Sequence, residues 1–348
     1  MNTITTIGLD IAKTSFSAHC IDASGKAVKK AQLKRSQVIP FFAEKAPCAV
    51  GIEACGSAHH WAREIGRLGH EVKLIPAGRV KTFVLRQKND AADARAITEA
   101  MAHPETRCVP VKSMESQANL MLFKVRDMLV ADRTQKLNAL RGHFSEFGIV
   151  APTGPKEVYG LAGMILKDDA GLHPAMKAAL RPLVSVLNNL NEEIAALEKL
   201  ILQAHRADET AKRLAEVPGI GTLTSMVLSA SVTTPQAFRN GREFAAYLGL
   251  VPMQYTTGGK PRLGRITKMG NRDIRRLLVV GAIAALARMK HGKTQSPLAD
   301  WARKLLETKP FRLVAVALAN KMARIAWVIM AKGGVYAPGH KIEAAAAA

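Results

Sequence analysis

An α/β domain followed by a long, mostly helical region is the fold class that this 348-residue sequence predicts. Three observations predict it. The first hundred residues alternate short β-branched runs with helical spacings, the pattern of strands covered by helices. From about Glu115 the apolar spacing becomes three and four residues and stays so. The basic charge is uneven: residues 251–348 carry 18 Lys and Arg against four Asp and Glu, most of the formal net charge of +22.

Residues 3–22 are β-branched and alternate loosely, and SGKAVKKAQLKR reads as a turn and a polar strand, so a β-hairpin opens the chain. PCAVGIEACG is a short apolar run ending in glycine, a central strand. AHHWAREIGRLG has helical spacing and ends at Gly69, a C-cap. HEVKLIPAG is the next strand, and NDAADARAITEAMA a helix capped by Asn89 or Asp90. These elements form a domain with a mixed sheet over 1–112.

A helical region follows over 113–207. Within it Leu183, Leu187, Leu190, Ile194, Leu197 and Ile201 are separated by steps of four and three, the seam of a coiled coil. The same spacing suits the core face of an antiparallel bundle. A third region, 208–335, opens with helix, PGIG turn and helix. That is either a helix-hairpin-helix element offering backbone N–H groups to a phosphate or a plain tight turn. Residues 336–348 form a low-complexity tail.

Composition narrows the function classes. Concentrated basic charge is the electrostatic footprint of nucleic-acid binding. Aromatics make up 5% of the chain, so stacking on bases is not the main binding device. Cys20, Cys48, Cys55 and Cys108 form no CxxC pair and suit free thiols in a reducing cytoplasm. The N-terminus lacks a signal-peptide pattern. The apolar stretch LVAVALANKMARIAWVIMA is broken by Lys321 and Arg324, so it reads as a buried helix and no membrane partner is expected.

Four carboxylates stand out: Asp10 in TIGLDIAK, Glu53 in AVGIEACG, and Asp90 and Asp93 in KNDAADARAI. The first two sit in apolar strands, where a charge is expensive unless paired or metal-bound. The last two are three apart and share a helix face. Read singly, Asp90 also suits a helix cap and Asp93 a surface ion pair. Acids gathered in a basic chain point to a divalent cation beside a polyanion, because Mg²⁺ takes carboxylate and phosphate oxygens. His59 and His60 read as a solvated pair. The pattern fits nucleotide-chemistry folds with a ribonuclease-H-like sheet, either two-metal nucleases or sugar kinases. The glycine-rich phosphate loops of the kinases are missing.

The second cluster is YTTGGKPRLGRITKMGNRDIRR. Lys260, Arg262, Arg265, Lys268, Arg272, Arg275 and Arg276 surround Gly258, Gly259, Gly264 and Gly270, with hydroxyls at Thr256 and Thr257. Such a nest suits nucleic-acid phosphate. A hydroxyl within it is either a nucleophile or part of a basic hairpin that only grips the backbone.

The motifs GLDIAK, GIEACGSAHHWAR, KNDAADARAI, PGIG and FAAYLGLVPMQYTTGGKPRLGRITKMGNRDIRRLL, in this order, resemble the DEDD transposases of the insertion-sequence-110 family, and more particularly its insertion-sequence-1111 subgroup. The resemblance implies a RuvC-like catalytic domain, a coiled-coil middle for dimers or tetramers, and a C-terminal transposase domain. It implies that Asp10, Glu53, Asp90 and Asp93 hold Mg²⁺ or Mn²⁺. It also implies an RNA-guided recombinase of the bridge-RNA type. A noncoding RNA pairs with donor and target DNA, and a protein hydroxyl links covalently to the cut strand. A cytoplasmic, nucleoid-associated location follows from the same resemblance. The family's nucleophile is serine; here the S-T-G-G form of the motif points to Thr256 and the S-G form to Thr257. Two other expectations compete with this: a metal-only RuvC-like nuclease that resolves junctions, and a nucleic-acid-binding member with an impaired site.

Overall fold

The computed structural model describes residues 3–84, 90–167, 171–292 and 295–338, with the Asp90 and Ala91 side chains outside that description. Contacts divide the chain into two compact units, Met1–Ser113 and Met114–Ala348.

The first unit holds strands β1 (Thr6–Ile11), β2 (Ser15–Ile21), β3 (Ala27–Lys34), β4 (Ala49–Glu53) and β5 (Glu71–Ile75). Its helices are α1 (Val38–Ala43), α2 (Ala58–Gly66), α3 (Ala77–Val80) and α4 (Asp90–Ala102). The sheet order is β3-β2-β1-β4-β5. The first three strands pair antiparallel, and β1-β4 and β4-β5 pair parallel. This mixed sheet is consistent with a RuvC-like domain. The run 3–22, read as one strand, is two, because the chain reverses at Ala12–Thr14, where the Ala12 N–H donates to the Ser15 carbonyl.

One face of the sheet is apolar. Ile7, Leu9, Phe16, Val50 and Ile52 pack with Phe42, Trp61 and Ile65 of α1 and α2. Against the other face lies α4, and two glycines let it approach closely. A Cβ at Gly8 would sit 2.2 Å from the Ala94 carbonyl oxygen, and one at Gly51 would sit 2.9 Å from Ile97. Glycine is the residue for such backbone contact.

The second unit is helical: α5 (Met114–Glu146), α6 (Pro155–Leu166), α7 (Pro174–Ala207), α8 (Glu209–Ala215), α9 (Thr222–Ser231), α10 (Gly241–Tyr247), α11 (Arg272–Lys290), α12 (Pro297–Leu306) and α13 (Phe311–Lys332). Between α10 and α11 the short strands β6 (Pro252–Gln254) and β7 (Leu263–Ile266) form an antiparallel hairpin.

Helices α5 and α7 form an antiparallel pair within the chain. Arg133 donates to Asn191 at 3.3 Å and Arg126 to Glu198 at 2.9 Å. The heptad-spaced face of α7 is used in this packing: Val184 and Leu187 are buried with Leu137, Leu140 and Phe144 of α5 and Leu161 and Ile165 of α6. Further along, Ile201 meets Leu122, Ala211 and Met226. Both sequence readings of that face were open, and the structure fills it with intrachain partners.

Helices α8 to α13 share the largest core, in which Leu318, Met322 and Ala326 of α13 pack against Leu278, Ala282 and Leu286 of α11. Among the described residues α13 is one helix long and apolar enough to cross a membrane, and half of that stretch is buried in this core. The PGIG turn is packed as well. A Cβ at Gly219 would lie 2.8 Å from the Gly281 carbonyl oxygen of α11, so this glycine serves backbone-to-backbone contact.

Candidate nuclease site and candidate nucleic-acid interface

Asp10 and Glu53 belong to neighbouring parallel strands whose register runs Gly8↔Gly51 and Leu9↔Ile52. The next step places Asp10 beside Glu53, at the carboxyl ends of β1 and β4. Side chains alternate along a strand, so both acids share the face of Gly8 and Gly51, the face that α4 covers. Both are half-buried, a position between the core and water.

Helix α4 crosses that face obliquely. Ala94 lines a small cavity with Ser17 and His19 of β2, and Ser17 is the register partner of Asp10. Thr98 Oγ1 lies 3.0 Å from His19 Nδ1, while Ile97 and Met101 reach Gly51 of β4. The first turn of α4 therefore sits toward the Asp10 end of the sheet. Asp93, next to Ala94, arrives there half-buried. Asp90 begins the same helix one turn earlier; its side chain lies outside the described residues.

Electrostatics report the same proximity. Burial raises the Cys55 thiol pKa, and the carboxylates of Glu53 and then Asp10 raise it further. The donor set is carboxylate oxygen only, which suits Mg²⁺ or Mn²⁺. Among the described residues no group of three or more His, Cys, Asp or Glu side chains is gathered to hold a metal ion. The fit thus rests on the hard oxygen donors of Asp10 and Glu53; Asp93, on the first turn of α4, is not gathered with them into a cluster of three.

The two histidines read as solvated part company. His60 is exposed, but His59 accepts the Lys112 backbone N–H at 3.2 Å. Burial, helped by Lys112 and Arg63, draws its pKa down to about 4, so it is a neutral structural group.

In the second unit, Thr256 and Thr257 lie on the arm of the β6–β7 hairpin leading to its tip. Thr257 pairs with Lys260, and between them Gly258 and Gly259 take φ of 55° and 75°. Two successive positive φ values make the primed turn that matches strand twist, which explains the glycine pair. Thr256, Thr257, Lys260, Arg262, Arg265, Lys268 and Arg272 are all exposed. Among the described residues the side chains of Lys260, Arg262, Arg265 and Lys268 have no hydrogen bond or ion pair. Arg275 and Arg276 differ. Arg275 donates to the Leu248 and Met269 carbonyls at 2.9 and 2.8 Å, and Arg276 pairs with Asp127 of α5 at 2.7 Å. They hold the segment after the hairpin in place.

A transposase model, DEDD_Tnp_IS110, matches residues 7–149, and a model described as Transposase IS116/IS110/IS902 family matches residues 211–297. The chain is 45% identical to the Pseudomonas aeruginosa protein named Probable family 20 transposase, over 96% of this chain and 98% of that one. It is 38% identical to the transposase for insertion sequence element IS1328 of Yersinia enterocolitica, over 97% and 99%. It is 37% identical to the transposase for insertion sequence element IS1111A of Coxiella burnetii, over 97% and 93%. The two matched models, the mixed sheet with its acids and these full-length likenesses agree: this chain belongs to the IS110 family of DEDD transposases.

Proposed function

We infer that the protein cuts and rejoins DNA as the transposase of an insertion sequence, with Asp10, Glu53, Asp90 and Asp93 as the acidic tetrad of a RuvC-like domain. The observation that supports this reading is the pair Asp10 and Glu53 at the carboxyl ends of adjacent parallel strands, on the sheet face that α4 covers. The donor and target sites are specified by a noncoding RNA of the bridge type, and the active form is a homo-oligomer.

The acids would hold Mg²⁺ or Mn²⁺. Bound there, the cation supplies charge stabilisation to the phosphoryl and leaving oxygens. The protein's hydroxyl is the nucleophile. Its oxygen bonds to phosphorus at the 5′ side, the bond to the 3′ oxygen breaks, and the proton passes to that oxygen. A new 3′-OH attacking the phosphothreonine reverses the step and rejoins the strands without energy input.

The hairpin favours Thr257 over Thr256. Successive residues on a strand face opposite sides. By register Thr257 shares a side with Lys260 and Tyr255 with Arg262, so these four line one side, while Thr256 falls with Gln254 and Leu263 on the other. The hydroxyl next to two free cations is the one placed to meet a phosphate whose charge they offset.

Incubating the protein with its element-end DNA, the adjoining RNA and Mg²⁺, then denaturing, tests this. A DNA-linked protein band is expected for wild type and Thr256→Ala and is lost in Thr257→Ala. Strand cleavage that persists in both variants with no linked band would instead establish the metal-only nuclease.

A further inference from the structure

The first unit carries a basic groove that the hairpin reading does not use. It has a volume of about 1020 Å³, and it is lined by residues from three separate segments. Lys13 and Thr14 come from the β1–β2 turn, Lys34 and Arg35 from the end of β3, and His60 and Trp61 from α2. Among its described lining residues there are three permanent cations and no carboxylate. The segments are tied together: the Arg35 N–H donates to the Thr14 carbonyl at 3.3 Å, and Ser15 and Lys34 are register partners.

We propose that this groove binds the sugar–phosphate backbone of a nucleic acid and leads it to the strand end that carries Asp10. The proposal rests on the nucleic-acid reading above and extends it to residues of the first unit.

Three features support it. First, Lys13, Lys34 and Arg35 are all exposed, so their charge is available to a ligand. Second, the groove's aromatic is not a stacking platform. Trp61 is 4% exposed and lies under the Arg35 guanidinium, 5.0 Å from ring centroid to Cζ. Trp61 offers bases no open ring face to stack on, so contact falls mainly to phosphates and the binding is largely independent of sequence. Third, the Trp61 indole N–H is buried without a partner among the described residues, a donor in the groove wall that lacks an acceptor. The location matters too. Lys13 follows Asp10 by three residues at the end of β1, so a strand held at Lys13 lies near the acids. Lysines on an edge strand often serve only to block strand pairing. Here Lys13 comes from the β1–β2 turn and Lys34 and Arg35 from the end of the edge strand, and they converge on one concavity.

The test is fluorescence anisotropy with the full-length protein and three fluorescent probes of equal length and arbitrary sequence: single-stranded DNA, duplex DNA and an RNA hairpin. The triple variant Lys13→Gln/Lys34→Gln/Arg35→Gln is expected to bind at least one probe about tenfold or more weakly. The slope of log affinity against log salt should become shallower by about 2 to 3, since each phosphate contact contributes roughly 0.7 to 0.9. The double variant Lys13→Gln/Lys34→Gln leaves the Arg35–Trp61 stack in place. It should show about two-thirds of the slope change with an unaltered melting temperature. The probe that loses affinity identifies the strand that uses the groove. Wild-type binding with unchanged affinity and slope in both variants, on all three probes, overturns the proposal and leaves the transposase reading standing. Failure of the wild type to bind any probe overturns both.

Discussion

The acids of the first unit and the hydroxyls of the second are held in opposite ways. Asp10 and Glu53 stand at the ends of adjacent strands in the middle of a five-stranded sheet, and a helix is pressed onto their face by backbone contact. Thr256 and Thr257 ride on an exposed two-stranded hairpin ending in a glycine turn. A set of like charges needs a frame that forbids the acids from moving apart. A nucleophile that links to a strand and later releases it needs room to move with its phosphate. Two-stranded ribbons are only marginally stable alone, and that suits the second task.

The largest expected effect is at the acids. Asp10→Asn is expected to lower strand cleavage by about 10³-fold or more without unfolding the protein, as read on labelled element-end DNA. A fall of less than tenfold would remove Asp10 from the site. Next comes the hydroxyl proposed as nucleophile, where Thr257→Ser tests whether the hairpin merely presents a hydroxyl. The DNA-linked band should persist in Thr257→Ser at a level within about tenfold of wild type, because only a methyl that restricts the rotamer is removed. A band that persists in the double variant Thr256→Ala/Thr257→Ala would mean that neither threonine is the nucleophile.

The frame itself is sharpened by Gly51→Ala. The added Cβ meets Ile97 at 2.9 Å and Met101 at 3.1 Å, both side chains that must give way. Overpacking of this kind costs about 1–3 kcal/mol, so thermal melting should fall and cleavage should fall with it. Gly258→Ala, at φ of 55° on an open tip, should lower melting by less than Gly51→Ala does. Equal effects would erase the contrast between a packed frame and a free hairpin.

The smallest effect is electrostatic. The Cys55 thiol is raised by burial and then by Glu53 and Asp10. Removing either negative charge lowers that pKa, increases the thiolate fraction at pH 8 and accelerates alkylation. Asp10→Asn and Glu53→Gln should each speed iodoacetamide modification of Cys55 by a few-fold, in a background with Cys108 replaced by serine. Mg²⁺ added to wild type should act in the same direction by offsetting the same carboxylates. No change with Mg²⁺ would count against a cation at Asp10 and Glu53.

Much of this was legible in the sequence. The strand carrying Glu53, the helix from Ala58, the strand before Pro76 and the helix from Asp90 all lie where periodicity and glycine punctuation placed them. The reversal at Ala12–Thr14 was not, because DIAKTSF has no glycine or proline to mark a turn. The helical seam could not be assigned either, since steps of four and three serve an intrachain pair and a coiled coil alike. The basic groove escaped for a different reason. Lys13, Lys34 and Arg35 are brought together only by the β2–β3 hairpin, so no stretch of sequence contains them as a cluster. At the proposed acidic site, sequence offered the residues but not the feature that seats α4 on the face of Asp10 and Glu53, which is the absence of side chains at Gly8 and Gly51.

The antiparallel pairing of α5 and α7 has a geometric corollary. The chain runs out along α5 for about 50 Å at 1.5 Å per residue, turns through α6, and returns. Leu122 near its start meets Ile201 near its end. Departure and return therefore share one base, and the excursion between them has a length that is adjustable. Removing one heptad from each helix at matching depth would shorten the arm by about 10 Å while keeping the seam in phase and the base unchanged. Reach, in this protein, is a quantity that paired deletions can change without disturbing the cluster at its foot.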